Sequence, residues 1–348
     1  MLDIGESLSL NLMRNNRKYN KLIQSAGNCL GSSETTRQLS DNIQKNLREK
    51  EEKRVPLACE REFAPYLAGV LDGDGNFDLR RGGAPIGEKK RLFLRAIRIK
   101  LHCRDVRILT RIQNQLHRGR ISYDKNKPHV LYILSSRVDM EHVINLVNGY
   151  ILIKCESFKK ACQSLAIKFK EGQYTLPPGN PYLAGLVDTA GSVVFNFPGN
   201  RIECNLEFQY TKYTKQLCLD QVIPHYKPAI LLRDKKITGQ PGKVYKSIAF
   251  KFQTVGGMIF LYQAFMKNRL YCDMKFYRIS SIKRFLSIRH YRNQPDSSLE
   301  YKIYADFLLK WIQYENPHWI RVPFAVTLLE RTATQKSPYL SDKDIVQK

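Results

Sequence analysis

Acidic residues are scarce in this sequence. Its 348 residues hold 32 Asp and Glu against 57 Lys and Arg, a formal net charge of +25. A chain so basic repels itself, and a polyanion relieves the repulsion: nucleic acid first, an anionic membrane surface second. Long apolar runs are lacking too. No stretch approaches the ~18 consecutive apolar residues of a spanning helix. The start, MLDIGESLSLNLMRNN, has no basic segment followed by a long apolar core, so it does not read as a secretory signal. No membrane partner is expected. The eight cysteines form no CxxC and the seven histidines no HxxxH, so the thiols read as reduced and structural, with no zinc site. A P-loop and a GxSxG nucleophile elbow are also absent. DGDGN at 72–76 opens like a calcium loop but lacks its twelfth-position Glu.

Apolar residues are not lacking. They make up 43% of the chain, with 11% aromatic, enough for packed cores. At ~150 residues per domain the length suggests about two domains. Residues 1–61 are polar and read as an extension, partly disordered, with one polar helix in QLSDNIQKNLREKEEKR capped by Ser40 or Asp41. From Glu62 the texture changes. FAPYLAGVLD reads as an apolar helix, NFDLR and RLFLRAIRIKLHC as strands. DVRILTRIQNQLHRG has apolar residues at helical spacing (Val106, Leu109, Ile112, Leu116) and Gly119 as a stop. Two strands around Lys-Asn-Lys-Pro and two helices complete a first domain, 62–170. EGQYTLPPGN at 171–180 reads as a linker.

The same order then recurs over 181–293: helix, two strands, a helix in TKQLCLDQVIPHY, two strands and a helix. A C-terminal extension covers 294–348. YLAGVLDGDGNF at 66–77 aligns with YLAGLVDTAGSV at 182–193, an offset of 116 residues with six of twelve positions identical. Each half reads αββαββα, a duplication and not a solenoid. Ala68 and Gly69 let their helix approach another closely. Two such helices packed together bring GDG and TAG side by side, where a carboxylate can bind a hard cation such as Mg2+.

Leu67 to Gly75 and, less closely, Leu183 to Gly191 resemble the signature of the LAGLIDADG homing endonucleases and their maturase relatives. The resemblance covers roughly 62–293. It implies an α+β fold of duplicated halves, in which two antiparallel sheets form a DNA-binding saddle around a central helix pair. It implies Mg2+-dependent hydrolysis of phosphodiesters, with one acid per strand at the eighth motif position. That acid is Asp74 in the first half, with Gly73 beside it as the other metal-binding residue. In the second half the position holds Ala190, which has no ligand oxygen. Asp72 and Asp188, at the sixth position, are assigned to structure. Lys154 and Lys275 stand where the family places a basic residue near the scissile phosphate. Gln209 fits a water-orienting position on the second strand, for which the first half offers Leu101 or His102.

For the DNA face the near-alternating Arg95, Arg98 and Lys100 are assigned to one strand, Lys243, Lys246 and Lys251 to another. The late aromatics, among them Phe276, Trp311 and Trp319, read as core, with stacking on unpaired RNA bases as the alternative. The resemblance implies a site-specific, intron-encoded endonuclease with an impaired second site, acting on double-stranded DNA as a monomer with internal pseudo-twofold symmetry. Its gene would lie in a mitochondrial or plastid intron. Three alternatives stay open: a maturase that binds its host group I intron RNA without cutting, a strand-specific nickase, and a decayed frame.

Overall fold

The computed structural model describes residues 58–82, 92–236 and 244–332. In the first half α1 (Ala58–Asp74) runs straight into β1 (Gly75–Arg81), followed by β2 (Leu92–His102) and a short 3-10 turn, Cys103–Asp105. Then come α2 (Val106–Leu116), β3 (Arg120–Tyr123), β4 (His129–Leu134), α3 (Arg137–Val147) and α4 (Cys155–Ser164). The second half begins with α5 (Tyr182–Ala190), β5 (Gly191–Asn196), β6 (Arg201–Gln209), β7 (Ala229–Lys236) and β8 (Val244–Phe252). It ends with α6 (Met258–Lys267), α7 (Asp273–Ser280) and α8 (Ile282–Ile288), after which α9 (Leu299–Gln313) and α10 (Pro323–Thr332) follow. Each half holds one antiparallel four-stranded sheet, ordered β1-β2-β4-β3 and β5-β6-β8-β7. The fold class is α+β. The polar helix expected before residue 58 lies outside the described residues. Helix α1 starts at Ala58, inside the stretch assigned by sequence to the extension.

Local sequence explains the elements. Helix α2 buries Ile108, Leu109, Ile112 and Leu116 on one stripe, with Val106 only half-buried. It stops at Leu116, before Gly119, because His117 takes a left-handed conformation (φ 50°) and donates its N–H to Gln113 O at 2.7 Å. Ser136 caps α3 by accepting from Asp139 N at 3.1 Å.

Helices α1 and α5 pack backbone to backbone at the centre. A Cβ on Gly69 would fall on the Tyr182 carbonyl and lie 2.9 Å from Leu186 N. A Cβ on Gly185 would fall on the Tyr66 carbonyl and lie 2.9 Å from Val70 N. These contacts are reciprocal: each recurs with both numbers moved by 116. No residue larger than glycine fits either place.

The halves differ behind the sheets. In the first, α2 packs on β2, β3 and β4. In the second, the helix expected at 214–226 is a series of turns. Three local causes act against it. The Thr211 and Thr214 hydroxyls compete for backbone groups, with Thr211 N on Thr214 Oγ1 at 2.8 Å. The middle of the segment bridges the linker, Cys218 N donating to Tyr174 O at 2.9 Å. Pro224 cannot donate and disfavours helix at Ile223. With no helix across β7, Ile230 and Leu232 share a face with buried Phe250 and Ile248 yet stay 49% and 62% exposed.

The C-terminal helices join the second core. Phe195 lies 6.1 Å from Trp311 and 5.4 Å from Phe324, ring to ring. Buried Trp311 donates its indole N–H to Arg278 O at 3.2 Å. Among the described residues no helix is long and apolar enough to cross a membrane.

Candidate active site and nucleic-acid interface

The ends of α1 and α5 meet in an open cleft of roughly 630 Å³ lined, among others, by Asp74, Lys100, His102, Asp105, His129, Thr189 and Lys275. The three motif carboxylates have different surroundings. Asp72 is buried and accepts from the backbone N–H of Leu152 (2.7 Å), Ile153 (3.1 Å) and Lys154 (2.7 Å), and from the Tyr182 hydroxyl (2.7 Å). Asp188 is buried and accepts from Tyr271 N (2.9 Å), Cys272 N (3.0 Å) and the Tyr66 hydroxyl (2.9 Å). Each therefore ties the end of a central helix to the segment before α4 or α7, and to a tyrosine of the opposite half. Burial raises Asp72 above the usual carboxylate range and pushes Asp188 up to about 6, with the N–H donors opposing it.

Asp74 is exposed to the cleft and takes no hydrogen bond or ion pair from the described residues. The cleft walls raise its carboxyl above the usual range by desolvation; Lys154 and Lys275 oppose the rise and Asp105 adds to it. The matching position in α5 is the methyl of Ala190. Thr189, beside it, donates its hydroxyl back to Gly185 O at 2.9 Å.

Lys154 and Lys275 both reach helix ends. The Lys154 ammonium donates to Gly73 O (2.7 Å) and Gly75 O (2.6 Å). The Lys275 ammonium donates to Val187 O (2.8 Å), Asp188 O (2.7 Å) and Thr189 O (3.5 Å). Each puts a positive charge on the negative end of a helix dipole. Their placements differ: Lys154 precedes α4, whereas Lys275 lies inside α7. Burial lowers Lys154 below the usual lysine range, and Asp72 and Asp74 pull it back. One lone pair of the Gly73 carbonyl is thus taken by an ammonium.

Strand register sets His102, and not Leu101, at the place equivalent to Gln209. Gly75 pairs with Ile99 and Gly191 with Leu206, so His102 and Gln209 occupy the same place in the two sheets. His102 lines the cleft with Asp74, paired across the ladder with His129. Its Nδ1 accepts from Arg104 N at 3.3 Å. Gln209 is exposed on β6 opposite Ser247 and does not line this cleft. Asp105, Arg104, His129 and Arg278 also line it and were not singled out from the sequence. Only the pairing of β2 with β4 and the path of α7 bring them there.

The basic strand residues divide as follows. Arg98 and Lys100 alternate with buried Ile99 and Leu101, so they face away from the core. A bulge after Asp78 leaves Arg95 unpaired and resets the phase, and Arg95 too is exposed. Arg98 is tied to Asp78 at 2.9 Å. On β8, Lys246 and Lys251 are five residues apart and so point to opposite faces. Lys251 shares the open face, whereas Lys246 shares the face of Ile248 and Phe250 and departs from the groove set. Lys243 lies outside the described residues. The place of Lys100 is held in the second sheet by Glu207, itself bonded by Ser247 Oγ and Lys235 Nζ at 2.7 Å each.

Among the described residues no three His, Cys, Asp or Glu side chains converge into a metal cage. A hard cation that keeps its waters and binds through one carboxylate and a phosphate fits Asp74. It does not fit the end of α5, where no carboxylate is free.

The model of the LAGLIDADG endonuclease family matches residues 67–165. It is 24% identical over 284 residues to an intron-encoded DNA endonuclease, ai2a, of Dictyostelium discoideum, covering 79% of this chain and 83% of that one. It is 28% identical over 139 residues to the intron-encoded RNA maturase bI4 of Saccharomyces cerevisiae, covering 39% of this chain but only 20% of the maturase. The crystal structure of the LAGLIDADG homing endonuclease I-GzeII with its DNA target superposes with a TM-score of 0.46 at 16% identity, covering 70% of this chain and 96% of that one.

Proposed function

We propose that the chain is an intron-encoded, site-specific DNA endonuclease with one competent acid, Asp74, and an impaired second site at Ala190. On this reading it nicks one strand of its target. The observation that carries it is the contrast among the carboxylates: Asp72 and Asp188 have their oxygens taken up by backbone N–H groups, while Asp74 is left open to the cleft. The gene would sit in an organellar intron, mitochondrial or plastid, and the protein would act as a monomer whose repeats are related by a pseudo-twofold axis.

Asp74 would hold a divalent cation, Mg2+ in this reading, which would supply polarisation of the phosphodiester and activation of a water. His102, with Nδ1 accepting from Arg104 N, keeps Nε2–H as a donor toward a phosphate oxygen when neutral. Lys154 fixes the Gly73 and Gly75 carbonyls on either side of Asp74 and so sets the height at which it stands, while Lys275 fixes the carbonyls at the end of α5. Arg95, Arg98, Lys100 and Lys251, on the open sheet faces, hold the duplex backbone or read base edges.

The test is a duplex spanning the intron insertion site, with a different dye on each strand, incubated with Mg2+. One strand should be cut. Asp74→Ala should slow that cut by roughly 1000-fold, as loss of the metal's charge stabilisation does; a nick of unchanged rate would sink the assignment. A second reading, a maturase that binds the host intron RNA without cutting, is favoured by Ala190 and by the similarity to a maturase over 139 residues. If neither strand is cut and splicing of the host intron depends on the protein, that reading replaces the first.

A further inference from the structure

Ala190 leaves the second half without an acid, and α7 gives that half a cation that the first lacks. Lys154 and Lys275 both sit on the carbonyls at the end of a motif helix. Three residues further on, the first half has Ser157, whose hydroxyl turns back to Lys154 O at 3.0 Å. The second half has Arg278. The half with the free acid has no arginine at this place, and the half with the arginine has no free acid.

Arg278 is fixed but not neutralised. It is only 7% exposed, shares the buried side of α7 with Lys275 and lines the cleft. Its Cζ stands 4.6 Å over the Trp311 ring, and Nη1 donates to Val193 O at 2.8 Å. Nε is sealed from water with no partner. Nη2 has neither a partner among the described residues nor that closure. Among the described residues no carboxylate pairs with the guanidinium. Burial pushes it down to about 10, with Cys272 opposing and Arg104 of the first half adding to the fall. It is therefore charged at neutral pH. A buried cation near a second cation and without an anion is unfavourable, and one ring and one carbonyl offset only part of that. A phosphate oxygen beside it would supply the missing charge.

We propose that Arg278 holds a backbone phosphate of the strand that Asp74 does not cut, in the half of the cleft where Ala190 replaces the acid. The contact is end-on through Nη2, because Nη1 is taken by Val193 O and Nε is closed off. Trp311 and Val193 fix the guanidinium before the duplex arrives, so little rotamer freedom is lost on binding. The contact grips without cutting: a guanidinium keeps its protons near pH 7 and activates no water. The inference rests on the reading that the cleft takes a duplex.

The test reads binding of the full chain without divalent metal, so that nothing is cut. The probe is the duplex spanning the intron insertion site, carrying neutral methylphosphonate linkages one at a time at the central positions of the strand that stays whole in the two-dye assay. One position should weaken binding by the parent about tenfold or more. Arg278→Gln should bind the unmodified duplex about tenfold more weakly and lose nothing further at that position, because the partner of the phosphate is gone. Arg278→Lys, which keeps the charge without the planar fork, should fall between the two. Equal sensitivity of the parent and Arg278→Gln to that linkage would overturn the proposal and leave Arg278 as a support for Val193 and Trp311. So would a parent that tolerates every methylphosphonate on that strand, a result that needs no variant to fold. The nick of the other strand, followed separately with Mg2+, tells the failures apart. If it persists while the coupling is missing, only the role of Arg278 falls. If the duplex is neither bound nor nicked, the duplex reading falls and this inference with it.

Discussion

The ends of α1 and α5 are built by the same rules and finish differently. Both helices lie glycine against backbone, both carry a buried sixth-position aspartate held by N–H groups and by a tyrosine of the other half, and both have a lysine on their last carbonyls. Two residues beyond the aspartate, one half presents a free carboxylate and the other a methyl. The comparison separates two duties within one motif. Packing and capping are needed by the fold and are present twice. The free acid takes no hydrogen bond from the described residues, and it is present once. The Asp74 carboxyl is partly desolvated, drawn by Lys154 and Lys275 and repelled by Asp105, with no hydrogen bond from the described residues, whereas Asp188 holds three donors, so position 190 is freer to change than position 188.

The comparison can be pressed first at the packing. Gly185→Val would drive side-chain atoms into the Tyr66 carbonyl, and Gly69→Val into the Tyr182 carbonyl. Each should destabilise by about 3 kcal/mol or more, since backbone cannot yield as a side chain can. Equal losses from the two halves in chemical denaturation would support the reciprocal packing; tolerance at either glycine would break it.

The next effect is a pH dependence. Asp188 titrates near 3.8 when unfolded and is pushed up to about 6 when folded. The folded state therefore binds the proton more tightly between those values. Its contribution is fully present below pH ~4 and is lost as pH rises to ~6, on the order of 2–3 kcal/mol. Asp188→Asn should flatten that part of the Tm-versus-pH curve relative to the parent. A parent curve that loses no stability relative to the variant between pH 4 and 6 would contradict the burial argument. The smallest expected effect lies at the outer edge of the two halves. Arg107→Ala breaks a bridge to Asp273 whose arginine is largely exposed, and should cost under ~1 kcal/mol in the same denaturation experiment.

Much of this architecture is legible in the chain itself. The 116-residue offset, the alternation in RAIRIK and the small residues of LAG lead to two sheets and a glycine-lined helix pair. The turn structure at 214–226 is not legible by periodicity, because TKQLCLDQVIPHY has helical spacing. Its threonine hydroxyls and its bridge to Tyr174 decide otherwise, and the bridge is a tertiary contact. At the site, Asp74 and Ala190 stand out from the motif alignment. The place of His102 in the cleft needs the register of two ladders, since sequence alone leaves it level with Leu101. Lys246 illustrates the opposite failure. It shares a strand and a charge with Lys251, but an odd spacing of five puts it on the other face.

The central claim is that one helix end carries a competent acid and the other lacks one. Ala190→Asp tests it most directly on a supercoiled plasmid carrying the intron-lacking target and incubated with Mg2+. The parent should give open circles, and Ala190→Asp should give linear plasmid, because the glycine packing, the buried aspartate and the lysine on the last carbonyls of α5 match those of α1. Open circles from both proteins, with the Ala190→Asp variant folded and bound to the target, would contradict the account.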